Sequence, residues 1–167
     1  MADLLNIEIA QLCIQFSGQA ALLETMQERY AGFVVQHPPR VTMELREVAP
    51  LDPSFRESEF LPEIRYLDDG FEIDHAPYFL IRYNSQTQGG VLNYSLAPRN
   101  LPFGEVSPPE QYSPLPFGLR RAIGSLFITL LAQDGAPSLH ASCVEHNGKA
   151  VVAPGDSGTG KTTFLKY

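Results

Sequence analysis

The stretch APGDSGTGKTT at residues 153–163 constrains this chain more than any other. Gly155, Gly160, Lys161 and Thr162 stand in the spacing G-x-x-x-x-G-K-[ST]. That spacing makes a phosphate cradle, in which the N–H groups of a tight loop point inward and a helix N-terminus follows. Gly155 permits the sharp exit from a strand. Gly158 and Gly160 let the backbone approach phosphate oxygens with no Cβ in the way. Lys161 brings a positive charge to the β and γ phosphates. The Thr162 hydroxyl lies where Mg²⁺ would be held, so Thr162 is the candidate metal residue. Asp156, Ser157, Thr159 and Thr163 complete the candidate ATP-binding loop, with Asp156 read as a loop-shaping hydrogen-bonder and not as an acid catalyst.

Such a loop needs a strand in front of it and a helix behind it. LHASCVEHNGKAVVAPG supplies two short runs around Asn147-Gly148, the preferred pair for a two-residue type I′ turn. A hairpin is therefore expected, its second strand over 149–153 leading directly into the glycines. TTFLKY, after the lysine, reads as the start of a short helix.

Bulk properties exclude several classes. The formal charge is −7 and the pI about 5.0, which argues against nucleic acid or anionic lipid as partner. The 167 residues suit one ordinary domain or two small ones, and 44% hydrophobic residues suffice for a core. The two cysteines, Cys13 and Cys143, have no C-x-x-C spacing and no neighbouring His/Cys cluster. They read as free buried thiols in a reducing compartment, neither metal ligands nor nucleophiles. The N-terminus has no basic n-region, and the longest apolar stretch, 122–132, is shorter than the ~20 residues a bilayer requires. A cytoplasmic location without membrane contact is expected.

The first 97 residues read as an α+β domain with a mainly antiparallel sheet. LNIEIAQLCIQF alternates at Leu5, Ile7 and Ile9, then slips by one residue, which suggests a strand with a bulge. Leu22, Leu23, Met26 and Tyr30 predict a helix over 19–30. VTMELREV is a strand, EIRYLDDGFEI a hairpin around Asp69-Gly70, and YFLIRYN with VLNYSLA a second hairpin, giving four to six strands. Asp68 and Asp69 read as turn chemistry, and His75 and His146 as structural. Six prolines, from Pro98 to Pro116, mark 98–116 as a linker. Residues 117–167 then read as the opening of an α/β nucleotide-binding domain. Its first helix carries Leu119, Ile123, Leu126, Phe127, Leu130 and Leu131 on one face, with Gly135 at the C-terminal cap.

Residues 139–163 resemble the nucleotide-binding domain of the HPr kinase/phosphorylase family and its shorter HPr-kinase-like relatives. The likeness lies in His140 just before the first strand, the two-strand hairpin, and Gly155-Asp156-Ser157-Gly158-x-Gly160-Lys161. It implies a fold related to phosphoenolpyruvate carboxykinase and ATP-dependent phosphorylation of a protein serine. It also implies that His140 lies near the phosphates, a candidate catalytic position. The family usually carries Ser-Glu after the lysine, where this chain has Thr162-Thr163. That favours a relative over an enzyme directed at HPr.

Phosphoryl transfer also needs an acid to hold Mg²⁺ and a residue to orient the nucleophile. In phosphate-loop kinases these follow the loop's helix. The chain therefore reads as the front part of a kinase, truncated just after its lysine, and alone is expected to bind nucleotide weakly and not to catalyse. The alternative is a non-catalytic protein-interaction module with a vestigial loop. A transporter-type phosphate-loop ATPase is a weaker third reading. An incomplete sheet edge leaves room for a homo-oligomer.

Overall fold

The computed structural model describes residues 3–49, 62–96, 115–139 and 141–155. Seven strands form one sheet: β1 (Asp3–Ile9), β2 (Leu12–Gly18), β3 (Val41–Glu47), β4 (Glu63–Leu67), β5 (Gly70–His75), β6 (Phe79–Asn84) and β7 (Gly89–Tyr94). Their spatial order is β1-β2-β3-β7-β6-β5-β4. Helix α1 (Ala20–Arg29) lies between β2 and β3 in sequence, and α2 (Phe117–Gln133) follows the sheet. The fold is thus mixed α/β with few helices and a mainly antiparallel sheet.

Period-two alternation fixes one apolar face. Leu5 and Ile7 on β1 stand beside Phe16 and Ile14 on β2. Val41, Met43 and Leu45 carry the face across β3. Leu92, Ile81 and Ile73 continue it over β7, β6 and β5. All of these side chains are buried. Leu23 and Met26 of α1 and Leu119, Ile123, Leu126 and Phe127 of α2 complete the core. The other face carries Thr42, Glu44, Arg46 and Arg82, all exposed. Helices on one face and polar side chains on the other make a two-layer arrangement.

Two pairings, β2 with β3 and β3 with β7, are parallel. Alternation alone does not distinguish parallel from antiparallel neighbours. The connection does: β2 reaches β3 through α1, and a helical crossover returns the chain in the same direction.

The expected bulge in the first strand is a hairpin instead. Ile9 pairs with Leu12, leaving Ala10 and Gln11 as a two-residue turn with φ of 51° and 68°. Both residues sit in the left-handed region that a type I′ turn demands. Neither is glycine or asparagine, so the sequence gives no turn signal here. L-residues in that region cost roughly 1–2 kcal/mol each. Replacing Ala10 by Asn together with Gln11 by Gly is expected to raise unfolding free energy by about 1–2 kcal/mol in urea titrations. An unchanged midpoint would show that the turn relaxes without cost.

Helix α2 begins at Phe117, with Pro116 just before it and the Pro116 carbonyl accepting from the Arg120 N–H at 3.1 Å. It ends as expected at Gly135, whose φ is 78°. Gly135 N–H donates to Ala132 O at 3.0 Å and Ala136 N–H to Leu131 O at 2.9 Å, which is a Schellman cap. The first compact unit, Met1–Leu130, takes in the sheet and most of this helix, and the second is Leu131–Tyr167. The packed unit therefore extends past the proline-rich segment, and the helix expected to open the nucleotide-binding domain joins the sheet's core. Apart from Leu115 and Pro116, segment 98–116 contributes only Pro98–Pro114 positions that lie outside the described residues.

Candidate functional site

In the second unit, β8 (Ala141–His146) pairs with β9 (Lys149–Pro154) in the expected antiparallel hairpin. Asn147 and Gly148 form its turn with φ of 53° and 73°. Both values are left-handed, as a type I′ turn requires. The Gly148 N–H donates to the Glu145 carboxylate, closing the turn from one side. Asn147 Nδ2 lies 3.1 Å from His146 Nε2, so His146 belongs to the turn's own hydrogen bonding.

β9 runs directly into Gly155, whose φ is 153°. L side chains rarely adopt that value, so glycine is needed where the strand exits. His140 and the loop residues Asp156, Ser157, Gly158, Thr159, Gly160, Lys161, Thr162 and Thr163 lie outside the described residues. Gly155 and the hairpin are the described parts of the candidate site.

No described side chain of this second unit is buried. Val151 and Val152 are exposed on β9, and so is Cys143 on β8. The expectation of two buried thiols therefore holds for Cys13 and fails for Cys143. A two-stranded hairpin has no second layer of its own to cover either face.

The first unit offers other polar groupings. A shallow concavity of about 410 Å³ opens on the polar sheet face, lined by Thr42, Arg82, Asn84, Thr87, Gly89 and Val91. Its cation is already engaged: Arg82 donates to Asp69 Oδ1 at 3.1 Å. Asn84 Nδ2 also donates to Asp69, at 3.0 Å, and Ser85 N–H reaches the Asp69 carbonyl at 2.7 Å. Asp69 is thus more than turn chemistry, because it ties the β4–β5 turn to the β6–β7 turn. His75 is buried with its ring edge-on to Tyr78 and Phe79, a packing role.

A third grouping joins residues that sequence reasoning kept apart. Glu8, Cys13 and His37 bring their ligand atoms within 4.8 Å of one another. Cys13 is buried, and its thiol is pushed up by that burial and then by the Glu8 carboxylate. No contiguous signal marks this trio in the sequence: pairing of β1 with β2 places Glu8 opposite Cys13, and the turn that joins them, Ala10-Gln11, has neither glycine nor asparagine.

No family model, curated protein or solved structure matches this chain. No helix among the described residues is long and apolar enough to cross a membrane.

Proposed function

We propose that residues 155–163 bind the triphosphate of ATP, with Lys161 on the β and γ phosphates and Mg²⁺ held through the Thr162 hydroxyl. The activity served is phosphoryl transfer to a protein or small-molecule hydroxyl, as in the HPr-kinase-like proteins that the segment resembles. One observation carries the reading: the G-x-x-x-x-G-K-T spacing follows a strand that delivers the chain to Gly155 at a φ of 153°. Strand, glycine exit and lysine stand in the order that a phosphate cradle requires. The resemblance implies a position near the phosphates for His140. Turnover needs an acid that holds Mg²⁺ as well, and no described residue is assigned that role.

Titration with a fluorescent ATP analogue, with and without Mg²⁺, tests this. The chain is expected to bind the analogue, and ATP and ADP to displace it better than AMP. Lys161→Ala is expected to weaken binding at least about tenfold, the scale of one charged phosphate contact. If wild type and Lys161→Ala behave alike, the loop is vestigial, and the protein-interaction reading of the sheet domain takes its place.

A further inference from the structure

We propose that Glu8, Cys13 and His37 form a binding site for a divalent cation of borderline softness, Zn²⁺ foremost, through a carboxylate oxygen, a thiolate and imidazole Nε2. The three donors come from two rigid sources. Glu8 and Cys13 face each other in the β1–β2 ladder. His37 belongs to a strap that crosses this hairpin and is pinned along its length. Val34 bridges to Ile7, and Val35 N–H donates to Asn6 O at 3.2 Å. Asn6 Nδ2 donates to the His37 carbonyl at 2.9 Å, and Arg40 N–H to the Cys13 carbonyl at 3.0 Å. The strap is thus fixed on both sides of the imidazole.

The ring's own hydrogen bond supplies a second, independent pointer. His37 Nδ1 lies 3.3 Å from the Pro38 carbonyl, which accepts from it in the tautomer that carries the ring proton on Nδ1. In neutral imidazole that leaves Nε2 with a lone pair. Nε2 stands 2.6 Å from Glu8 Oε2. Two lone pairs that close need a cation between them, either a proton or a metal ion. A backbone carbonyl on the far nitrogen is the arrangement that orients a metal-binding histidine.

The buried Cys13 sulfur, within 4.8 Å of the other two ligand atoms, offers a third donor. A proton shared by His37 and Glu8 makes no use of a third donor, whereas a metal ion does. Mixed N, O and S donors suit Zn²⁺, and a thiolate does not suit Mg²⁺ or Ca²⁺. In a tetrahedral zinc site with bonds of 2.0–2.3 Å, donors stand about 3.3–3.7 Å apart. His37 and Glu8 must then part by roughly 1 Å. Their side chains, 51% and 30% exposed, are free to do so. Binding displaces the Cys13 proton, so it releases acid.

Co²⁺ titration of the full chain without nucleotide tests the site. One equivalent is expected to raise a thiolate-to-cobalt charge-transfer band that Zn²⁺ then abolishes. Cys13→Ser is expected to remove the band and Cys143→Ser to leave it. His37→Gln, at an exposed side chain, is expected to weaken binding at least about 100-fold, with circular dichroism confirming that it folds. Absence of a band in the wild type overturns the proposal and leaves an ion pair alone. So does a band that depends on Cys143, or a His37→Gln variant that titrates like the wild type. Should Cys13→Ser fail to fold, His37→Gln and Glu8→Gln decide the matter.

Discussion

Gly118→Ala is expected to lower the stability of the sheet-and-helix unit by about 2–4 kcal/mol, while Gly124→Ala in the same helix raises it by about 0.5–1 kcal/mol. The opposite signs follow from what each new methyl group would meet. At Gly118 an added Cβ would stand 2.5 Å from the Tyr78 carbonyl oxygen and 3.2 Å from that of Ser95. Neither oxygen belongs to a side chain that could swing away. The Tyr78 oxygen is also held by the Ser95 N–H at 2.8 Å, and Ser95 Oγ donates to Pro77 O at 2.6 Å. The start of α2 would have to lift off the sheet, pulling Phe117 from its edge-to-face contact with Tyr78, where the ring centroids are 5.0 Å apart. At Gly124 no atom stands within 4 Å of the added group. There the substitution only removes glycine's excess freedom in the unfolded chain. Urea denaturation followed by circular dichroism reads both variants. Equal shifts in one direction would mean that α2 does not seat against Tyr78 in solution.

Gly70→Ala is expected to cost about 3–5 kcal/mol, from a steric clash and a backbone conformation together. Its φ is 154°, and an added Cβ would fall on the Tyr83 carbonyl oxygen of the neighbouring strand. Gly70 directly follows Asp69, which clamps the two turns through Arg82 and Asn84. The strand end therefore cannot shift to make room without breaking that clamp. Thermal unfolding would show the loss, with a fall in midpoint of roughly 3–5 °C for each kcal/mol in a unit that spans Met1–Leu130. A fall of only a degree or two would mean that β5 can slide in register against β6.

These glycines mark where sequence reading stops. Alternation along β3, β6 and β7 identified strands and their apolar faces, because a half-buried sheet requires period two. Asn147-Gly148 named its own turn, since few residue pairs accept two left-handed conformations. The α2 stripe and its Gly135 cap were legible for the same local reason. Ala10-Gln11 was not, because tertiary pairing of β1 with β2 overrides the poor turn preference of both residues. Gly118 looked like an ordinary helical glycine, since its need arises from backbone brought in by other strands. The placing of α2 with the sheet is also a matter of packing partners, which an apolar stripe does not name. Of the candidate sites, the proposed phosphate loop is a pattern of contiguous residues, so the sequence alone suggests it. The trio Glu8, Cys13 and His37 is not, because the strap that carries His37 meets the hairpin only in the folded chain.

β3 is parallel to both of its neighbours, and it stands between the β1–β2 hairpin and the four-stranded β7-β6-β5-β4 meander. Among the described residues, the sheet order therefore joins those two halves through one seven-residue strand. Without it, the sheet would divide into a hairpin, which is marginal by itself, and a meander with a newly opened edge. β3 is thus the seam of this unit, the strand through which two locally paired ribbons become one sheet.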